Sequence, residues 1–400
     1  MADRGPEVGA DRWSDVHDPT RSVHAGQDPD PATGAVVPPL HLASTFQQDA
    51  VGTPRAGYEY ARSANPTRSG FEASLAALES PTRPAVGLAF ASGLAASDTL
   101  LRTVLRPGDH AILGDDVYGG TYRLLATSYR DWGVVVDQVD LTRPDALARA
   151  IRPGRTRLVW VETPSNPLLS IAPITDLVEV ARRISALVVV DNTFATPILQ
   201  KPLSLGADVV LQSLTKYLGG HSDLVAGALI VPEGDLAAEL RAKQNAHGAV
   251  ASPFDSWLAQ RGVRTLAVRM AAHCAGAQRV AEALAEHPDV IEVLYPGLTS
   301  HPGHDVAARQ MTGFGGMLSF RAAGGPRVAR RVAESTRIFT LAESLGGVES
   351  LIEVPAAMTH QSSSASRRPV PEDLIRVSVG IEDPGDLIDD LLGALEQARS

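Results

Sequence analysis

From about residue 66 to 260 the chain alternates short apolar runs with amphipathic stretches, and no other feature limits its fold as much. Such alternation is the signature of βαβ units wound into a mainly parallel sheet. Strands are expected at 85–89, 110–113, 134–139, 158–161, 187–190, 209–211 and 228–231, with helices between them at 66–78, 94–105, 120–131, 145–151, 174–184 and 236–246. Seven strands suit one doubly wound α/β domain. Beyond about 261 come a helix at 265–287, short strands at 290–295, 316–320 and 375–379, and helices at 328–335 and 385–398, which predict a smaller C-terminal α+β domain spanning 261–400. No internal repeat is present, and the run 361–368, QSSSASRR, is expected to be a mobile loop.

The first 65 residues are different in kind. They are rich in Asp, Gly, Pro and Ser, with turn signals at Asp28-Pro29, Asp30-Pro31 and Asn65-Pro66. An extended arm is expected, either partly disordered or packed on a neighbouring surface such as another subunit. With 36 Lys and Arg against 46 Asp and Glu, the net charge of −10 speaks against a sequence-independent grip on nucleic acid or on an anionic membrane. The one cysteine, Cys274, can form neither an internal disulfide nor a zinc cluster and falls on the apolar pattern of a helix, so a cytoplasmic protein is expected. The polar start predicts no signal peptide, and no run approaches the roughly 18 apolar residues of a membrane span.

In open parallel sheets, ligands sit beyond the carboxyl ends of the strands, so the polar residues that follow strands carry the most information. Three places stand out. In 85-AVGLAFASGLAASDTLL-101 a strand passes through Ser92-Gly93 into a helix whose free N–H groups suit an anion such as phosphate, although Ser92 can equally be a plain helix cap. In 187-LVVVDNTFATP-197 a buried strand ends in Asp191, which can cap a turn or hold a positive charge on a ligand ring. In 208-DVVLQSLTKYLGGHSDLVAG-227 a strand runs into Ser213, Thr215 and Lys216. A lysine there is either a loop residue seeking water or a partly desolvated nucleophile of lowered pKa. Together, an anion site, an acid and a lysine are the parts that pyridoxal 5'-phosphate requires for its phosphate, ring nitrogen and aldehyde.

Extended to 59-EYARSANPT-67, 90-FASGLAA-96, 117-VYGGTYR-123, 162-ETPSNPLL-169, 190-VDNTFATP-197, 213-SLTKYLGGHSD-223, 340-TLAESLGGVESLIEVPAAMTH-360 and 374-LIRVSVGIED-383, the sequence resembles the Cys/Met-metabolism pyridoxal phosphate enzymes from about residue 20 onward. The resemblance implies a fold-type I pyridoxal phosphate transferase fold. It implies Lys216 as the residue bonded to the cofactor aldehyde, Asp191 as partner of the ring nitrogen, and Tyr118 as the aromatic residue stacked on the ring that helps deprotonate the substrate. Ser92, Gly93, Leu94, Ser213 and Thr215 match a phosphate cradle, and Tyr60 and Arg62 match a pair that the neighbouring subunit supplies, which gives the arm a task. Arg376, with Asn166 and Ser344, matches the holder of an amino-acid substrate's α-carboxylate, a bidentate task that suits a guanidinium. Arg123 and Glu343 match the distal pocket of relatives that handle cystathionine. A homo-oligomer follows, a dimer with shared sites and an expected tetramer.

Other signals point nowhere further. His301 and His304 have ligand-like spacing but no carboxylate or cysteine partner nearby, and a loop is expected there rather than a metal site. His221, Ser222 and Asp223 are adjacent and cannot form a hydrolase relay. Gly313, Gly315 and Gly316 miss the dinucleotide spacing. Within the family, Gly120 stands where methionine γ-lyases usually carry cysteine. The runs 248–262 and ESLIEVPAAMTH resemble γ-lyases, whereas 162-ETPSNPLL-169 and 309-RQMTGFGGMLSF-320 are shared with γ-synthases. The expected activity is cystathionine γ-lyase, with cystathionine γ-synthase as the alternative and a non-catalytic pyridoxal phosphate-binding protein as a remote one.

Overall fold

The computed structural model describes residues 13–360 and 367–399. Most of the segment 361–368 expected to be mobile lies outside the described residues. The arm is not wholly extended. It holds α1 (Asp18–His24) and a two-stranded ribbon, β1 (Gln48–Ala50) and β2 (Thr53–Pro54). α1 is fixed to the body by Asp18, whose carboxylate lies 3.1 Å from the ammonium of Lys201.

The larger unit runs α2 (Pro66–Glu79), β3 (Ala85–Phe90), α3 (Gly93–Val104), β4 (His110–Gly114), α4 (Gly119–Arg123), β5 (Val135–Val139), α5 (Pro144–Ala150) and β6 (Thr156–Glu162). It continues with α6 (Ile174–Arg182), β7 (Leu187–Asp191), α7 (Thr196–Leu199), β8 (Val209–Ser213), β9 (Gly227–Pro232), α8 (Asp235–His247) and α9 (Pro253–Val263). Its seven strands lie in the order β3-β9-β8-β7-β6-β4-β5, and only β9 runs against the rest. Helices cover both faces, so the central strands β6 and β7 are buried almost throughout and read as unbroken apolar runs. Helix starts follow capping chemistry: Asn65 accepts from Thr67 and Arg68 N–H ahead of Pro66, and Ser92 accepts from Ala95 N–H.

The helix expected over 120–131 is α-helical only in α4. Residues Leu124–Tyr129 continue as a wider π-helical turn, with Leu125 and Tyr129 turned into the core. α9 was not expected as a helix at all, because PFDSWLAQRGV shows no broad apolar stripe. Its buried face is made of Ser256, Ala259, Gly262 and Val263, small residues that allow close packing. A Cβ on Gly262 would stand 2.3 Å from the Gly219 carbonyl. The boundary expected at 260 falls inside α9, whose Ala259 and Val263 belong to the same apolar cluster as Phe71 and Leu75.

The smaller unit comprises α10 (Leu266–Glu286), β10 (Val290–Leu294), α11 (His304–Gln310), β11 (Met317–Ala322), α12 (Gly325–Ser335), β12 (Thr340–Leu341), β13 (Leu351–Glu353), β14 (Leu374–Ser378) and α13 (Pro384–Arg399). Its five strands follow the order β10-β11-β14-β13-β12. The segment around His301 and His304, expected as a loop, turns helical at His304, whose Nδ1 bonds the Pro296 carbonyl. No helix among the described residues is long and apolar enough to cross a membrane.

Candidate active site

The ends of β3, β4, β6, β7 and β8 open on one cleft of about 260 Å³, closed on its far side by residues of the smaller unit. Ser92, Gly93, Leu94, Tyr118, Asn166, Asp191, Ser213, Thr215, Lys216, Glu343, Ser344 and Arg376 all line it. Residues scattered over almost three hundred positions of chain therefore converge where strand-end chemistry places ligands.

At one end, α3 begins with Gly93 and Leu94, whose N–H groups have no intrahelical acceptor. Gly227 on β9 is needed here: a Cβ would lie 2.4 Å from the Ser92 carbonyl and 2.5 Å from Gly93 Cα. Ser213 sits across from Gly93, and its own N–H donates to Thr193 Oγ1 at 2.9 Å. Thr215, expected in the same cradle, spends its hydroxyl on Ala226, donating to the carbonyl at 3.2 Å and accepting from the N–H at 3.1 Å.

At the middle, Asp191 Oδ1 accepts from Thr193 N–H at 3.1 Å and from Thr193 Oγ1 at 2.5 Å. Burial pushes this carboxyl up to about 6, and only the Thr193 hydrogen bonds oppose the rise. Glu162 is its neighbour in register and is pushed well above the carboxylate range by burial and by Asp191. Tyr118, 41% exposed, faces the same space, and its ring lies over Gly120, where a Cβ would meet Tyr118 Cε1 at 2.4 Å. Burial raises the Tyr118 hydroxyl, with Arg123 opposing.

At the other end, Lys216 Nζ donates to Ser344 Oγ at 2.7 Å. Burial, helped by Arg376, lowers the Lys216 amine to about 8. Ser344 has φ of 86°, a left-handed conformation that a non-glycine residue adopts at a cost, and such strain clusters at functional sites. Its carbonyl accepts from Arg376 Nη2 at 2.7 Å, while Arg376 Nη1 donates to Asn166 Oδ1 at 2.9 Å and pairs with Glu353 Oε1 at 3.0 Å. Arg376 Nε is buried with no acceptor among the described residues.

Three expected residues stand apart. Arg123 is exposed and outside the lining of the cleft. Tyr60 and Arg62 lie on the outer flank, where Arg62 Nη1 donates to Asn245 O at 2.7 Å and the guanidinium sits 5.6 Å from the Tyr60 ring centre. Among the lining residues that were not anticipated are Glu162, Thr193 and Thr359, and Glu353, outside the lining, pairs with Arg376. Glu162 could have been found, since it too ends a strand; Glu353 sits in a three-residue strand with no readable period.

The donor set fits pyridoxal 5'-phosphate. Two buried acids at adjacent strand tips lack a basic neighbour, the hydrogen bonds to the Asp191 side chain all fall on Oδ1 among the described residues, and a neutralisable amine faces them across the cleft. Sheet, strand-end cleft and donor set define a fold-type I pyridoxal phosphate enzyme. The profile of the family described as Cys/Met metabolism PLP-dependent enzyme matches residues 19–396. Cystathionine gamma-synthase of Mycobacterium tuberculosis (strain ATCC 25618 / H37Rv) is 58% identical over 379 residues, 95% of this chain and 96% of its own. Cystathionine beta-lyase of Lactococcus lactis subsp. cremoris (strain MG1363) is 49% identical, covering 94% of this chain and 98% of its own. The crystal structure of cystathionine gamma synthase from Xanthomonas oryzae pv. oryzae in complex with cystathionine superposes with a TM-score of 0.92 at 44% identity, over 96% of this chain and 99% of that one. The chain belongs to the Cys/Met-metabolism family of pyridoxal phosphate-dependent enzymes.

Proposed function

We propose that this enzyme works at the γ carbon of a homoserine-derived amino acid and forms L-cystathionine, the thiol sulfur of L-cysteine replacing the acyloxy group of an O-acyl-L-homoserine, which leaves Cγ as the free carboxylate. The observation that carries the reading is the contact chain Lys216–Ser344–Arg376–Asn166, which sets a movable base beside a carboxylate clamp. The 58% identity to a protein named cystathionine gamma-synthase supports replacement over elimination.

The residues divide the work as follows. Ser92, Gly93, Leu94 and Ser213 would hold the phosphate, with Thr215 beside them and its hydroxyl engaged by Ala226, Asp191 would hold the ring nitrogen, and Tyr118 would cover the ring. Pyridoxal 5'-phosphate, when bound, supplies the sink for the electron pair left at the substrate's Cα and then at Cβ. Arg376 and Asn166 fix the α-carboxylate, so the Cα proton is presented to Lys216. A lysine lowered to about 8 is neutral often enough near neutral pH to take that proton, and it must take one from Cβ as well before the γ substituent can leave. Ser344 Oγ, already hydrogen-bonded to Nζ, steers the amine between the two positions. Tyr118 assists at Cα or at the departing group. Glu343 at the cleft would face the second amino group of the cystathionine product, and Arg123, outside the lining, adds a positive charge near Tyr118.

The same distal charges would receive cystathionine as a substrate, which favours γ-elimination to L-cysteine, 2-oxobutanoate and ammonia as the second reading. Steady-state assays with O-succinyl- and O-acetyl-L-homoserine, each with and without L-cysteine, set against L-cystathionine alone, separate the two. Cysteine-dependent cystathionine formation is expected. Turnover of L-cystathionine alone to 2-oxobutanoate would favour the lyase, and pyruvate with homocysteine would refute chemistry at Cγ.

Tyr60 and Arg62 complete the phosphate site of a neighbouring subunit in this reading, since they lie outside the cleft of their own chain. Arg62→Ala is expected to weaken cofactor retention by roughly 1.5–3 kcal/mol, the size of a charge-assisted hydrogen bond. Mixing Arg62→Ala with Lys216→Ala subunits should restore activity, because one site of each hybrid dimer keeps both residues. Demonstrably mixed dimers that stay inactive would count against sharing.

A further inference from the structure

We propose that Glu162 is a positioning residue that ties the aromatic wall of the cleft to its carboxylate clamp, a role that rests on the function just given. β6 ends in Glu162, and its two carboxylate oxygens serve two different loops. Oε2 accepts from the Tyr118 N–H at 2.9 Å, and Oε1 accepts from the Asn166 N–H at 3.0 Å. Tyr118 belongs to the loop after β4, and Asn166 to the loop after β6. The side chain of the first would cover the cofactor ring, while that of the second holds Arg376 Nη1 at 2.9 Å. One side chain thus fixes the distance between ring cover and clamp.

A merely structural need for a hydrogen-bond acceptor does not account for an acid at this position. Glu162 is buried, lies beside Asp191 in register and near Asp116, and both carboxylates disfavour its charge. Burying a carboxylate next to others is costly, and two N–H donors are what offset that cost. Only a carboxylate presents two acceptor oxygens at one site; glutamine presents one, so an isosteric replacement must turn an NH2 group towards either Tyr118 or Asn166. The contact falls at the start of α4, where the Tyr118 side chain makes no cap hydrogen bond of its own. Asp116 laces the same two loops further out, accepting from Ser165 Oγ and from Leu168 N–H, which keeps the backbone path intact when Glu162 is changed.

The test is the Glu162→Gln holoenzyme, read by cofactor content, visible circular dichroism of the bound cofactor, and kcat and KM with O-succinyl-L-homoserine and L-cysteine. Cofactor content should match wild type, because Lys216 and the phosphate residues are untouched. The visible dichroism should fall as the ring cover loosens, and kcat/KM should fall by about tenfold or more, as displacements of up to an ångström at reacting groups do. In an Asn166→Ala background the side-chain link from this loop to Arg376 is already cut, so Glu162→Gln should change KM by less than about twofold while still lowering the dichroism. A folded, loaded Glu162→Gln enzyme with wild-type dichroism and wild-type kcat/KM overturns the proposal, even if its melting temperature drops. Should Glu162→Gln fail to fold, Glu162→Asp, with both oxygens but a shorter reach, takes its place on the same two readouts, and wild-type values of both overturn the proposal. If wild type itself shows no γ-replacement, the functional reading fails and the dichroism comparison alone decides the coupling.

Discussion

Lys216→Ala is expected to lower kcat by at least about 10³-fold, because the side chain is asked to be both the covalent anchor of the cofactor and the general base, and a positioned base alone contributes roughly 10²–10⁴-fold. The fold should survive. Lys216 makes one side-chain hydrogen bond, to Ser344 Oγ, and its ammonium is already disfavoured by burial and by Arg376, so alanine removes a poorly hydrated amine rather than a needed ion pair. Borohydride reduction followed by peptide mapping should place the cofactor on Lys216 in wild type and nowhere in the variant; label on another lysine would refute the assignment. The lowered pKa adds a pH signature. With the amine lowered to about 8, about a tenth of it is neutral at pH 7, against less than about one part in a thousand for an ordinary lysine near 10.4. Attachment of cofactor to the cofactor-free protein should therefore quicken as pH rises towards 8 and level off above it. A rate still climbing steeply at pH 9 would show that the cleft does not lower this amine.

The central strands of the sheet were legible because they are buried on both faces and read as apolar runs, whereas the half-buried edge strand β5 carries Asp137 and Gln138. The ligand-facing residues were legible because a sheet of this kind presents its chemistry at strand ends. Ser92 and Lys216 come just after strands and Asp191 ends one, and the cleft gathers all three. Asn166, Ser344 and Arg376 were reached only through family resemblance, since they come from loops and from a different sheet. Glu162 and Glu353 were reached by neither route. Each acts on another residue rather than on the ligand: Glu162 through two backbone N–H groups, Glu353 as a cross-strand neighbour of Arg376. A contact made by pairing β13 with β14 leaves no periodic trace in a strand of three residues. α9 hid for a related reason, its buried face being made of small residues instead of large apolar ones.

Arg376→Ala is expected to cost both stability and activity, and the two losses can be separated. Arg376 and Glu353 are 3% and 1% exposed in their side chains, with Nη1 and Oε1 3.0 Å apart, and they face each other directly across β13 and β14. Burial alone would push Glu353 up and Arg376 down, and each opposes the shift of the other. Removing the guanidinium strands the carboxylate in a dry site where, among the described residues, Thr359 Oγ1 at 2.8 Å is its remaining hydrogen-bond donor. Breaking such a buried pair costs about 3–5 kcal/mol, which should appear as a fall in the urea midpoint. The double variant Arg376→Met/Glu353→Leu removes both charges and fills their volume, and replacements of this kind fall within about 1–4 kcal/mol of neutral on the stabilising side. Its midpoint should return towards wild type. Its activity should not, because the substrate carboxylate then has no cation to meet: two charge-assisted hydrogen bonds at roughly 1.5–3 kcal/mol each correspond to a loss in kcat/KM of roughly 10²–10⁴-fold. Recovery of stability without recovery of kcat/KM would place the ion pair in the fold and the free face of Arg376 in the chemistry. Recovery of both would mean that Arg376 only holds β14 in place, and the carboxylate clamp would have to be sought elsewhere in the cleft.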